Sequence, residues 1–306
     1  MNLVVTGASG FIGHNVLLRA PRDWNVYAVY HSTSGLDAFV AEHGLTNVTP
    51  VRCNLLSEAD VAALAKTIGA KPDAMLYLAA NGDPAASSEK PRWDLESNTV
   101  AFVNTLEHCP ADHVVYVSSG AVYDGLNGAV TPSTPVFPKL PYAISKLASE
   151  QYLQFFCERR GSVASYVNVR FFGAYGPYEA ARKITTKWLQ ALARGERLFP
   201  IRGDGKNLID FMYVDDAVDG FLALVKAKGE RLTVDFASGT PVSINDIVAT
   251  MASNLGVALT VRHEGTVAEY IEFRSADPTM RERFGFAPTV SFADGLNRLS
   301  AFLGSS

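Results

Sequence analysis

Short apolar runs alternate with helix-length segments along the first 170 residues. Residues 3–6, 26–30, 75–80, 113–119 and 165–171 are near-continuous, β-rich apolar stretches without polar alternation. Parallel strands buried on both faces carry that pattern. Residues 11–19, 61–68, 98–108 and 142–160 read as the intervening helices. Strand–helix repetition at this interval predicts an α/β fold built on a doubly wound parallel sheet.

Beyond Gly173 the alternation weakens. Residues 186–194 predict a helix and 208–214 a strand, followed by a helix with Asp215 at its N-cap. Residues 233–237 predict a strand returning to the main sheet, and 244–255 a helix capped by Ser243. The stretch 124–141 holds four of the 15 prolines and reads as a long connection, a kind of loop that is often functional.

The chain has 306 residues, 48% apolar and 19% charged, which suits a large core and excludes a disordered chain. A net charge of −4 without a long basic run disfavours nucleic acid. Cys53, Cys109 and Cys157 form no CxxC pair, so neither a disulfide framework nor a metal site is expected. No apolar run reaches the ~18 residues of a membrane span, and no leader pattern is visible, so a soluble cytoplasmic protein is expected.

Candidate chemistry begins at the first strand. Gly7, Gly10 and Gly13 stand between it and the first helix. The first permits a sharp turn, the second a close approach of backbone to a pyrophosphate, and the third close helix–strand packing. Open N–H groups at the helix start then face the anion. Dinucleotide sites often carry an acid at the end of the second strand to hold the ribose. Here that end reads Tyr30-His31-Ser32-Thr33, without an acid. The hydroxyls and His31 suit a 2′-phosphate, which tilts the expectation from NAD towards NADP.

Tyr142 and Lys146 lie four apart on one face of a predicted helix. A cation about 4 Å from a phenol at an effective dielectric near 20 is worth roughly 4 kcal/mol. That is about three pKa units, enough to make tyrosine a useful acid–base group. Ser118 and Ser119 end the strand 113–119, at the carboxyl edge where such sheets bind ligands.

Together these segments resemble the NAD-dependent epimerase/dehydratase group of extended short-chain dehydrogenase/reductases. The resemblance is carried by TGASGFIG (6–13), YLAA (77–80), VSSGAVY (117–123), PYAISK (141–146), RFFGAYGP (170–177) and GDGKNLIDFMYVDDAV (203–218). It implies a Rossmann domain over 1–172 with a returning segment near 215–243. A smaller substrate domain would take 173–214 and 244–306. It implies Ser119, Tyr142 and Lys146 as catalytic residues. Cofactor contacts would come from Gly7, Gly10, Phe11, Ile12, Gly13, Tyr30, His31, Ser32, Asn54, Leu55, Leu78, Ala79, Ala80, Asn98 and Phe172, with Lys146 on the nicotinamide ribose. A homodimer would pair helices near 95–108 and 142–160, with Leu147, Tyr152, Phe155 and Phe156 as seam or core.

Three departures shape the expected reaction. Gly120 and Ala121 replace the Asp-Glu pair of the sugar 4,6-dehydratases, which argues against elimination of water. Ile209 replaces an arginine that meets a nucleotide-sugar diphosphate, leaving Lys187, Arg202 or Arg274 to compensate. Gly173 replaces an asparagine and, with Asn81 and Ser119, is a candidate substrate contact. The expected activity is nucleotide-sugar 4-epimerisation. The alternatives are an NADPH-dependent 4-ketoreductase and, third, a non-catalytic cofactor sensor.

Overall fold

The computed structural model describes residues 1–266 and 272–304. The first half runs β1 (Asn2–Thr6), α1 (Phe11–Arg19), β2 (Asn25–Tyr30), α2 (Leu36–Glu42), β3 (Val48–Arg52), α3 (Glu58–Ile68) and β4 (Ala74–Tyr77). Two short helices, α4 (Pro84–Glu89) and α5 (Pro91–Leu95), lead through a π-helical turn at Glu96–Val100 into α6 (Ala101–His108). Then come β5 (His113–Ser119), β6 (Asn127–Val130), α7 (Pro141–Glu158) and β7 (Ser165–Phe171).

The second half holds β8 (Ala174–Tyr175), α8 (Ile184–Ala193), β9 (Leu198–Arg202), β10 (Leu208–Ile209) and β11 (Met212–Tyr213). They are followed by α9 (Val214–Lys226), β12 (Arg231–Phe236), β13 (Val242–Ser243), α10 (Ile244–Leu255) and β14 (Thr260–Glu264). The chain closes with β15 (Glu272–Ser275), α11 (Thr279–Glu282) and α12 (Phe292–Gly304).

Seven strands form one parallel sheet in the order β12-β7-β5-β4-β1-β2-β3. The order reverses between β1 and β4, and the crevice above that switch point is where such sheets bind ligands. One face packs on α1 and α9 through Leu3, Val5, Val16, Leu17, Val218 and Phe221. The other packs on α3, α6 and α7 through Val4, Met75, Leu64, Phe102, Leu153 and Phe156. A separate apolar core joins α8, α10 and α12 through Trp188, Leu192, Ile247, Met251 and Leu299. Among the described residues no helix is long and apolar enough to cross a membrane.

Several expectations need correction. Residues 208–214 are two short strands: β10 pairs antiparallel with β13, and β11 pairs parallel with β8. Between them Asp210 Oδ1 accepts from the Ser238 N–H at 2.7 Å, which turns the chain from one small sheet to the other. Asp215 is not the cap of α9; Tyr213 holds that place, and Asp215 and Asp216 sit in the first turn. Negative charge there complements the helix dipole. The stretch 124–141 contains β6, whose partner β15 lies far along the chain and gives no local signal. The helix expected over 98–108 begins at Ala101, because Asn98 lies in the π-helical turn. Ser243 does cap α10, in a capping box with Asp246. The edge strand β3 escaped the pattern; Pro50 interrupts it, as an edge position allows.

Candidate active site

The glycine turn is fixed by close backbone contacts. Gly7 has φ +65°, and a Cβ there would lie 2.9 Å from the Ala79 nitrogen. A Cβ on Gly13 would lie 2.4 Å from the Gly7 carbonyl oxygen and 2.6 Å from that of Ala8. Gly10 is the N-cap of α1 without a side-chain cap, and the first turn carries no acid. The open N–H groups and the helix dipole therefore suit an anion. Thr6 Oγ1 accepts from the N–H groups of Leu78 and Ala79, both at 3.1 Å, which ties the end of β4 to the turn.

A cleft of about 650 Å³ opens above this turn. Gly7, Gly10, Tyr30, His31, Ser32, Asn54, Leu55, Leu78, Ala79, Ala80 and Asn81 line it, together with Asp83 and Arg182. Phe11, Ile12, Phe172 and Gly173 instead line a second cleft of about 310 Å³ on the other side of the turn, with Ile209 in its wall. Gly173 has φ +146°, a conformation that favours glycine, so its identity also answers a backbone demand. A third cleft of about 310 Å³ gathers Arg182, Lys187, Arg202 and Asn207 around Trp188, Ile201 and Ile244. Arg182 links the two regions: it lines both the first and third clefts and reaches Asp83 at 3.4 Å. Arg274 lies exposed on β15 and lines none of these clefts.

Ser119 ends β5, and its Oγ accepts from the Ala121 N–H at 3.1 Å. Its strand neighbours lead into the two clefts beside the turn, for β4 runs on into Leu78–Ala80 and Phe171 pairs with Ser119. Tyr142 and Lys146 occupy the first turns of α7, anchored where the Tyr142 N–H donates to Ser87 Oγ at 3.1 Å. Lys146 is buried and donates to the Val117 carbonyl at 2.8 Å. Burial lowers its pKa to about 8, against the raising influence of Asp94 and then Glu150.

The lysine alone does not acidify the phenol as expected. Its Nζ lies 5.9 Å from the centre of the Tyr142 ring, and burial raises the Tyr142 pKa. A hydrogen bond with Ser119 opposes that rise, while Asp94 adds to it.

Asn81, which lines the large cleft, and Asn98 are joined in a buried network. Asn98 Oδ1 accepts from the Asn81 N–H at 2.7 Å. Both side-chain amides donate to Asp94 Oδ1, at 2.7 and 2.9 Å. Their polar groups are thus committed to holding the loop after β4 against α7. Asp94 had no sequence signal. It is fully buried, and its second oxygen accepts from Ser145 Oγ at 2.7 Å.

The sequence reading also missed a buried chain behind Ser119. Ser118 Oγ donates to Glu150 Oε1 at 2.5 Å, and Glu150 pairs with Arg170. Arg170 NH1 donates to the Tyr123 hydroxyl at 3.0 Å, which donates to Asp235 Oδ1 at 2.7 Å.

A class of protein follows from this geometry: a parallel α/β fold with a glycine turn after its first strand and a Ser/Tyr/Lys group at the end of β5 and the start of α7. The chain belongs to the NAD dependent epimerase/dehydratase family, whose model matches residues 3–235. It is 27% identical over 319 residues to the UDP-glucose 4-epimerase of Mycolicibacterium smegmatis, covering 99% of this chain and 98% of that one. It is 30% identical over 244 residues to a dTDP-glucose 4,6-dehydratase of Xanthomonas campestris, covering 74% and 68%. The UDP-glucuronic acid 4-epimerase of Bacillus cereus, solved with UDP-glucuronic acid and NAD, superposes with a TM-score of 0.86. It is 24% identical, over 100% of this chain and 99% of that one.

Proposed function

We propose that this protein is a nucleotide-sugar 4-epimerase working with a bound nicotinamide dinucleotide. The observation that carries the reading is a glycine turn whose neighbours leave no room for a side chain, together with Ser119 hydrogen-bonded to Tyr142, and Lys146 one turn further along α7. That turn and the 650 Å³ cleft fit a dinucleotide. Gly7, Gly10, Phe11 and Ile12 would hold its pyrophosphate, and Lys146 its nicotinamide ribose. When bound, the nicotinamide ring supplies a reversible hydride acceptor at the alcohol carbon.

Tyr142 takes the proton of the sugar hydroxyl as the carbon gives up hydride, and returns it at the end. Ser119 holds the same oxygen and favours the phenolate. The buried ammonium of Lys146 adds positive charge beside the phenol. The keto sugar turns over in the site, and reversal of both transfers on its other face gives the epimer.

Two observations favour epimerisation over its competitors. The full-length relatives described above include 4-epimerases. Dehydratases stand among the relatives at similar identity and length, but Gly120 and Ala121 supply no carboxylate for removing water. Gly120 is also crowded, for a Cβ there would lie 3.1 Å from the Phe172 ring.

The third cleft suits the nucleotide diphosphate, with Lys187, Arg202 and Arg182 supplying the charge that Ile209 lacks. NAD is the cofactor the family supports, and the tilt towards NADP finds no support among the relatives. The test is incubation with UDP-glucose, UDP-N-acetylglucosamine and UDP-glucuronic acid. C4 interconversion without net cofactor consumption is expected, abolished by Tyr142→Phe. Stoichiometric NADPH consumption overturns the epimerase in favour of a reductase. Unchanged biological activity of Tyr142→Phe points to a sensor.

The working unit is proposed as a homodimer. Trp93, Leu95, Val100, Ile144, Tyr152 and Phe155 are exposed on the α5–α6 segment and α7, apolar area that suits a second copy of these helices. Of the four expected seam residues, Phe156 is core and Leu147 packs near Val122, which leaves Tyr152 and Phe155 for the seam. Light scattering is expected to give twice the 33.0 kDa chain mass. Three buried free cysteines suit a reducing cytoplasm as the setting.

A further inference from the structure

The second cleft opens on the flank of the catalytic serine. Phe171 stands in register with Ser119, and the Phe172 ring crowds Gly120, the residue after it. Ile184 lines both this cleft and the third, so the two are continuous. With a dinucleotide in the first cleft and a diphosphate in the third, the second is the space left for the sugar. Its walls are apolar (Phe11, Ile12, Phe172, Ile209 and Phe211), yet Glu179 lies among them.

Glu179 is half-buried and firmly placed. Its Oε2 accepts from the hydroxyls of Thr185 and Thr186, at 2.8 and 2.9 Å. Oε1 accepts from no side chain among the described residues. The residue before it, Tyr178, is the one non-glycine with positive φ among the described residues, at +67°. A bulky side chain persists there only where its surroundings fix it. The Tyr178 ring stacks on His14 at 5.2 Å and meets Phe39 and Phe302 edge-on. The Pro177 carbonyl accepts from Asn15 Nδ2 at 2.9 Å. These contacts hold Glu179 between α1 and α8. Burial raises its pKa, while the two threonine hydroxyls, the Lys183 charge and the Thr186 N–H favour the ionised form. Lys183, which is exposed, is the other charged residue lining this cleft.

We propose that the second cleft seats the sugar ring and that Glu179 makes it selective for an uncharged sugar, accepting from a sugar hydroxyl and repelling the carboxylate of a uronic acid. The proposal rests on the reading of the protein as a nucleotide-sugar 4-epimerase and narrows its substrate class. A carboxylate set in apolar walls is a strong acceptor for a hydroxyl and a costly neighbour for a second carboxylate. Glu179 serves specificity here and takes no part in the proton transfer.

The experiment measures kcat/KM for UDP-glucose, UDP-N-acetylglucosamine and UDP-glucuronic acid on the purified full chain and on Glu179→Gln. Calorimetric titration of the wild-type chain with the same three compounds accompanies it. The wild-type chain is expected to favour a neutral sugar over the uronic acid by about tenfold or more in both measurements. Glu179→Gln, which keeps the shape and removes the charge, should narrow that ratio by about tenfold. Loss of a merely structural contact to α8 would lower all three substrates together and leave the ratio unmoved, which overturns the proposal. A wild-type chain that takes UDP-glucuronic acid as well as the neutral sugars overturns it too, and would give Lys183 the governing charge. If none of the three is epimerised, the proposed activity falls, while the calorimetric order of the neutral and acidic compounds still decides the role of Glu179.

Discussion

Glu150 and Arg170 close on each other in a buried ion pair, Oε2 to NH2 2.9 Å. Glu150 lies one turn beyond Lys146 on α7, so the carboxylate nearest along that helix is already matched. Asp94 is different: its hydrogen-bonding partners, Asn81, Asn98 and Ser145, are all neutral. An uncompensated charge in a protein interior costs several kcal/mol. Asp94 and Lys146 thus balance each other across the site, and Asp94 is the first influence that keeps the lysine charged.

Asp94→Asn should therefore lower the Lys146 pKa below its value of about 8. The ammonium would be lost at lower pH, and the alkaline limb of the kcat/KM profile should shift down. An unshifted limb in a folded variant would remove Asp94 from this role.

Ser119→Ala tests the other neighbour of the phenol. The Ser119 hydrogen bond lowers the Tyr142 pKa, so its loss should raise that pKa. The limb that requires phenolate should move to higher pH, and kcat should fall by ~10²-fold, as for loss of one preorganised hydrogen-bond donor. A normal rate with an unmoved limb would count against the assignment.

Gly13→Ala should disable the turn. Its new methyl would meet two backbone carbonyl oxygens, which cannot swing aside like a side chain. Overpacking of this kind costs roughly 1–3 kcal/mol. A lowered melting temperature and weaker dinucleotide binding are expected together, read by thermal shift and titration.

Asp235 makes a prediction about pH and folding. Burial raises its pKa to about 7 in the folded chain, while Tyr123, Ser275 and Arg170 favour the charged form. Between an unfolded pKa near ~4 and the folded value, the native state holds the extra proton. Stability from this group is therefore fullest at low pH and falls as pH rises towards 7. Asp235→Asn should remove that fall, so the variant should gain on the wild-type chain between about pH 4 and 7 in denaturant melts. A constant difference across that range would contradict it.

Legibility in the sequence followed distance along the chain. The glycine turn, the Tyr142–Lys146 pair and the strand-end serines are local patterns, and each could be read directly. Glu179 could not be attached to the second cleft, because that cleft forms only where α1, the end of β7, α8 and β10 meet. Asp94 offers a single acid in a short helix, and only packing shows it to be buried beside α7. The two-residue strands β8, β10, β11 and β13 are too short to leave a periodicity. Even the phenol's environment was misjudged locally, since its burial outweighs the nearby cation.

The path of the chain between its apolar cores has a mechanical consequence. It leaves the main sheet after β7, returns as α9 beneath that sheet, contributes β12 to its edge and departs again. A polypeptide sewn back and forth in this way cannot melt one half while sparing the other without tearing several seams at once. Heating should produce a single calorimetric peak whose van't Hoff and measured enthalpies agree.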